Sequence, residues 1–309
     1  MNRLQLFDNT NAGYIYKDNL GRIIYTGNKV GYQQEIEGIT YTTVDDSTIR
    51  ELDPDNEDYT NICTTLVTDL KALFQNSSFN QNINHWDVSN VTTMYEMFYN
   101  ASSFNQDLNN WDVSNVTTMY RMFRQASSFN GKIGNWDVRK VNNMNDIFMF
   151  TPFNQDVSSW KIESLNSMEN MFRGSDYNYP LNDWDVSNIS NMRFALASRN
   201  FNQPLDKWDV SLVGNMYGLF EDSKFNQDVS MWNVSSVYNM RGTFRKTPFN
   251  YDISAWDVSN VTNMGRMFQE SPFNYDISNW CVEKVSSRPT FFANNLNSAN
   301  EPNWGAACP

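Results

Sequence analysis

Apolar positions recur along most of this chain on a schedule of about 24 residues. Tryptophan marks it at Trp86, Trp111, Trp136, Trp160, Trp184, Trp208, Trp232, Trp256, Trp280 and Trp304, with intervals of 25, 25 and then 24 seven times. A Met column runs from Met94 to Met264 without a gap, and a Phe column from Phe98 to Phe292 admits one leucine, Leu196. Within the unit 83–101, Trp86 and Val88 alternate with His85, Asp87 and Ser89, which predicts a short strand. Val91, Met94, Met97, Phe98 and Ala101 follow at steps of 3, 3, 1 and 3, which predicts one face of a short helix with Ser89 or Asn90 as its N-cap. Ser102 and Ser103 then turn the chain into Phe104. Repetition at one fixed period is the mark of a stacked repeat array. The expected fold class is therefore an α/β repeat: a leucine-rich-repeat-like solenoid of short strand, short helix and turn per coil.

The array does not begin at once. Residues 1–58 read as a β-rich N-terminal cap or attachment element. Tyr14 to Tyr16 and Arg22 to Tyr25 form a hairpin around a Gly-containing turn, Ile39 to Val44 a further strand, and the acidic stretch 46–58 a connection. The solenoid of about ten coils is expected over 59–309. Its first coil, 62–85, is degenerate, with Ile62 in the Trp column. A C-terminal cap over 281–309 replaces the column Met with Arg288 and places Pro289 after it. The Asn column, Asn80 to Asn274, holds without exception and reads as a buried ladder bonding backbone groups of its own and neighbouring coils.

Charge and cysteine use narrow the function classes. The net charge of −12 argues against nucleic acid and against anionic membrane as partners. No apolar run approaches the ~18 residues of a membrane span. The first twenty residues contain no apolar signal-peptide core, so export by that route is not expected. Cys63 lies 218 residues before Cys281, about nine coils and roughly 40 Å away, too far to bond. Cys281 and Cys308 are the plausible disulfide pair, with two free thiols as the alternative.

The phrase NWDVSNVTTMYRMF, the FNQD turn, the opening CTTLVTDL and the ending W-C-V … P-N-W-G-x-x-C-P together resemble the BspA-like leucine-rich-repeat surface proteins. The resemblance covers about residues 62–309. It implies a repeat solenoid and a role in surface display or adhesion, and it carries over no catalytic residue.

No catalytic, cofactor or metal constellation stands out. The single histidine, His85, is expected on the solvated surface. Asp87, Asp112, Asp137, Asp185, Asp209 and Asp257 form an outward column. Hydrogen bonding to their own turns is the expected role, with calcium bridging or a ligand face as alternatives. The column before Trp varies from coil to coil, and Asp183, Lys207 and Met231, beside Asp185 and Asp209, are candidate binding residues. Tyr95, Tyr120, Tyr217, Tyr251 and Tyr275 are candidate contact aromatics. The expected function is a non-enzymatic recognition or adhesion protein, extracellular or on a virion surface, binding a protein or glycan of a cell. The alternative is a structural decoration or assembly subunit that binds only neighbouring subunits of its particle.

Overall fold

The computed structural model describes residues 13–308. The first twelve residues of the expected cap, including most of the stretch searched for a signal peptide, and Pro309 lie outside the described residues. Near the N-terminus, β1 (Ile15–Lys17) and β2 (Ile23–Tyr25) pair antiparallel. The turn between them is tied by Asp18, whose Oδ1 accepts the backbone N–H groups of Leu20 and Arg22 at 2.9 and 2.8 Å, and Gly21 supplies the φ of +82°. A second sheet has the order β3 (Gln33–Ile36), β4 (Ile39–Asp45), β5 (Ile62–Leu66), antiparallel and then parallel. The hairpin docks on the first repeats. Ile23 N–H donates to the His85 carbonyl at 2.9 Å, and Asn110 Nδ2 donates to the Leu20 carbonyl at 2.9 Å.

From Leu66 to the 3-10 turn Ser298–Asn300 the described residues contain neither an α-helix nor a named strand. The expected α/β fold class is overturned on both counts. The two small sheets end at Leu66 and do not continue along the repeats as a solenoid sheet. The strand-type pairing between successive units is reduced to parallel bridges one residue wide, as in Thr93 to Thr118 to Asn143.

The expected helix is a run of consecutive turns. Met97, Tyr99 and Ala101 N–H groups donate to the carbonyls of Met94, Glu96 and Phe98, each three residues back. Glu96 and Asn100 sit at φ of +53° and +55°, which no α-helix tolerates. The intervening N–H groups leave the repeat: those of Met94, Glu96, Phe98 and Asn100 donate to the carbonyls of Thr118, Tyr120, Met122 and Arg124 in the next unit, at 2.8–3.0 Å. Turns of this kind return side chains to one face at steps of 3 and 4, so the apolar spacing that predicted a helix is satisfied without one. The expected strand fails for a similar reason. Asp87 Oδ1 takes the Ser89 N–H at 3.2 Å, and Val91 N–H closes a turn on the Val88 carbonyl at 2.9 Å, so the extended stretch ends before a ladder forms.

What the repeats share is a core. One buried cluster runs from Val44 to Leu296. Each Trp lies 5% exposed or less from Trp86 to Trp280, and its indole Nε1 donates to a carbonyl of the preceding unit, as Trp136 does to Leu108 at 2.9 Å. The Phe of most FNQD-type turns stacks on the column Phe of its own unit; Phe123 and Phe129 have ring centroids 3.8 Å apart, Tyr177 takes the turn position opposite Phe172, and Phe201 faces Leu196. These contacts bury large apolar areas at roughly 25 cal/mol per Å² and leave no indole N–H unpaired.

The Asn column does form a ladder. Asn105, Asn130, Asn154, Asn178, Asn202, Asn226 and Asn250 each donate their backbone N–H to the Oδ1 of the column Asn before, at 2.8–3.1 Å. It is not buried as expected, for these residues are half-buried or exposed. His85 corrects in the other direction. The docked hairpin and Tyr41, 6.1 Å away between ring centroids, half-bury it, and burial pushes its pKa down to about 4. At the far end, Cys281 and Cys308 are joined with Cα atoms 5.3 Å apart, while Cys63 is buried and free. Arg288 holds Glu301 at 2.7 Å, and Glu301 in turn accepts the Trp304 Nε1 at 3.2 Å, so the last Trp bonds within the end cap instead of to the unit before.

Candidate recognition faces

Two faces of the array present side chains that the core does not use. The first carries the residue before each Trp. Asp183 and Lys207, on successive units, face each other at 2.7 Å, and Lys207 holds the Asp183 carboxyl below its ordinary range. Both are exposed, so the pair contributes little to stability. Met231, in the next unit, is 89% exposed. A side chain that apolar left in water is a contact available to a partner. Asp185 and Asp209 share this side of the molecule, but each is committed to its own turn. Ser187 and Ser211 hydrogen-bond them through hydroxyl and backbone N–H and lower their pKa values.

The same commitment recurs along the Asp column. Asp112 and Asp257 accept the N–H of the residue two further on, and Asp137 takes both the N–H and the guanidinium of Arg139. Among the described residues no group of three or more His, Cys, Asp and Glu is arranged to hold a metal ion. Millimolar calcium is therefore expected to leave the melting temperature unchanged within about a degree, since an ion that does not prefer the folded state cannot stabilise it. Calorimetry with and without calcium checks this; a clear rise that Asp112→Asn abolishes would establish the bridging alternative.

The second face is formed by the turn runs. Tyr95 and Tyr120 lie there together, ring centroids 5.1 Å apart, with the Arg121 guanidinium 4.5 Å from the Tyr120 ring. Tyr217 belongs to the same face but packs on Phe194, 4.7 Å away, several units further along. Tyr251 and Tyr275 are placed elsewhere, each folded back on the Phe of its own turn, Phe249 and Phe273.

Sequence reasoning missed the arginines of this face. The three columns one, two and five residues after the core Met hold seven of the chain's thirteen arginines, against four carboxylates, in a chain of net charge −12. Arg121 bridges Glu96 and Asp146 at 3.2 and 3.1 Å, Arg124 reaches Asp146 at 3.1 Å, Arg193 holds Glu169 at 2.6 Å, and Arg245 pairs with Glu221. The columns were available as a signal. At about 100° per residue positions one, two and five would share one side of a helix as well, so the face itself was legible in the sequence, whereas its ion pairs between neighbouring units needed the stacked structure.

The fold and these faces define a tandem-repeat protein with a uniform interior and two individually varied surfaces. The family described as "Mycoplasma protein of unknown function, DUF285" matches residues 46–152, 109–202, 134–222 and 194–304, and the chain belongs to that family. Neither a curated protein nor a solved structure matches it.

Proposed function

We propose that this chain is a BspA-like recognition protein, non-enzymatic and displayed outside the cell on a cell or virion surface, where it binds a protein or glycan of another surface. The observation that supports this is the contrast between columns. Trp, Met and Asn recur nearly unchanged, while the position before Trp runs His85, Asn110, Asn135, Ser159, Asp183, Lys207, Met231, Ala255 and Asn279. Stacking needs uniformity only inside. A surface that discriminates between partners needs irregularity, and repeat arrays bind across several units at once. Membership of a tandem-repeat family is consistent with such a use.

The test begins with attachment of labelled protein to cultured host cells. The variant changing Asp183, Lys207 and Met231 to Ser is expected to keep its melting temperature within a few degrees, because all three side chains are exposed. It is expected to lose at least about tenfold in attachment. Wild-type protein that attaches to no cell but assembles onto purified particles would establish the structural-subunit alternative instead. Undiminished attachment by the folded triple variant would move the contact to the turn-run face.

A further inference from the structure

We infer that the turn-run face carries an anion-binding subsite, anchored by Arg173, for a single acidic saccharide unit. This rests on the recognition reading above and names the chemical class of the ligand. Four guanidiniums, from Arg121, Arg124, Arg173 and Arg193, line one open depression of about 350 Å³. The carboxylates beside them are already engaged. Asp146 accepts from Arg121 and Arg124 at 3.1 Å and from Asn170 Nδ2 at 2.8 Å, and Glu169 accepts from Arg193 at 2.6 Å. Arg173 has no carboxylate within ion-pair distance among the described residues, and its Nη1 donates only to Asn170 Oδ1 at a long 3.4 Å. Burial, and then the charge of Arg193, push its pKa below the usual guanidinium value. Holding a part-buried cation with no carboxylate in contact, only Glu221 and Asp146 acting at longer range, costs stability, and an incoming carboxylate or sulfate offsets that cost.

Rings decide the class of ligand. The Arg173 guanidinium lies 3.9 Å from the Phe194 ring centroid and 5.8 Å from that of Phe150, which is 44% exposed. These residues, with Gly174, Ala197 and the carboxylates of Asp222 and of Glu221, which Arg245 holds, wall a smaller depression of about 160 Å³ adjoining the first across Arg173. Two small adjoining concavities, with an acid anchor between them and the exposed Phe150 ring on one wall, match a pyranose bearing one acid group. An extended acidic peptide is a poorer match. It would need free backbone groups to pair with, and those here are spent between units: Asn170, Phe172 and Gly174 N–H donate to the carbonyls of Arg193, Ala195 and Ala197. Polyanions are disfavoured by the net charge of −12.

The probe is 3′-sialyllactose, a trisaccharide with one carboxylate, titrated calorimetrically into the full chain. Lactose, sodium sulfate and a triglutamate peptide serve as comparisons. Binding of the trisaccharide is expected to weaken several-fold between 50 and 200 mM salt, and lactose is not expected to bind. Arg173→Gln is expected to weaken the affinity by about tenfold or more, the share of one charged hydrogen-bond donor. Arg139→Gln, on a different column and paired with Asp137, should change nothing. Because no carboxylate contacts Arg173, Arg173→Gln should melt at or above the wild-type temperature; a fall of several degrees would assign the arginine to the fold and overturn the subsite. Tighter binding of triglutamate than of the trisaccharide, equal binding by Arg173→Gln, or binding of free sulfate alone would each overturn it too. Protein that attaches to cells but ignores the trisaccharide defeats the subsite and leaves the recognition reading standing, whereas wild-type protein that attaches to nothing defeats the recognition reading itself.

Discussion

Trp184→Ala is expected to lower stability by roughly 3–5 kcal/mol, the range for removing a large buried aromatic. Trp184 is 3% exposed in the middle of the array and its Nε1 donates to the Val157 carbonyl at 3.3 Å. Truncation leaves a cavity between two units and strips that carbonyl of a partner. The effect should spread, because each unit donates backbone hydrogen bonds to the next and neighbouring units stabilise one another. Trp304→Ala makes the comparison. That ring is only partly buried, contacts Phe292 edge-on at 4.9 Å and bonds within the end cap, so its loss should cost less than half as much. Urea denaturation midpoints for the two variants decide the matter; equal midpoints would mean that the Trp column does not carry the stack.

Gly218→Val is the second large effect, at roughly 3 kcal/mol or more. Gly218 occupies the positive-φ position of its turn run, at +62°, and any Cβ there would overlap the Phe194 ring of the unit before. A β-branched residue pays about 1–2 kcal/mol for the left-handed conformation alone, and displacing a ring that is 4% exposed adds a packing loss. The milder Gly218→Ala tests turn against helix by its sign. In a helix this change stabilises by about 0.5–1 kcal/mol; in the observed turn it must destabilise. Gly265→Ala is the control, since φ there is not positive and the nearest atom to an added Cβ is 3.5 Å away. Thermal melts of the three variants check all of this, and a more stable Gly218→Ala would restore the helix.

The candidate residues fared unevenly for a reason the Asp column makes plain. Asp185 and Asp209 looked like an exposed acidic row because alternation puts them outward. The structure places a Ser two residues on from each, with hydroxyl and N–H turned back onto the carboxylate, so they serve local geometry. Asp183, Lys207 and Met231 have no such local partner in the sequence, and they remain outward and varied. Tyr95 and Tyr120, 25 residues apart, meet because the period brings equivalent positions face to face. Tyr251 and Tyr275 are drawn instead onto their own Phe neighbours.

By itself the sequence determined the period, the buried columns and the direction of stacking. Ten tryptophans on one ladder can be buried together only if equivalent positions of successive units adjoin, and the Asn column could recur so strictly only if each member served the next. What the tertiary structure alone decided is the local conformation. Apolar spacing at 3 and 4 specifies which side chains share a face, and both a helix and a run of turns meet that condition. The choice between them depends on where the backbone N–H groups find acceptors. Here the carbonyls of the adjoining unit take them, an option that exists only once the units are stacked. Gly174, Gly218 and Gly242, with Asn, charged residues, Gln125, Phe150 and Phe194 but no β-branched side chain in the same two columns, are the trace of that choice in the sequence. The arginine face does not depend on that choice, since positions one, two and five after the core Met share a side in a helix as in the turns; what the stacked units decided is which carboxylate each arginine meets, as Arg121 meets Glu96 and Asp146 of the units on either side.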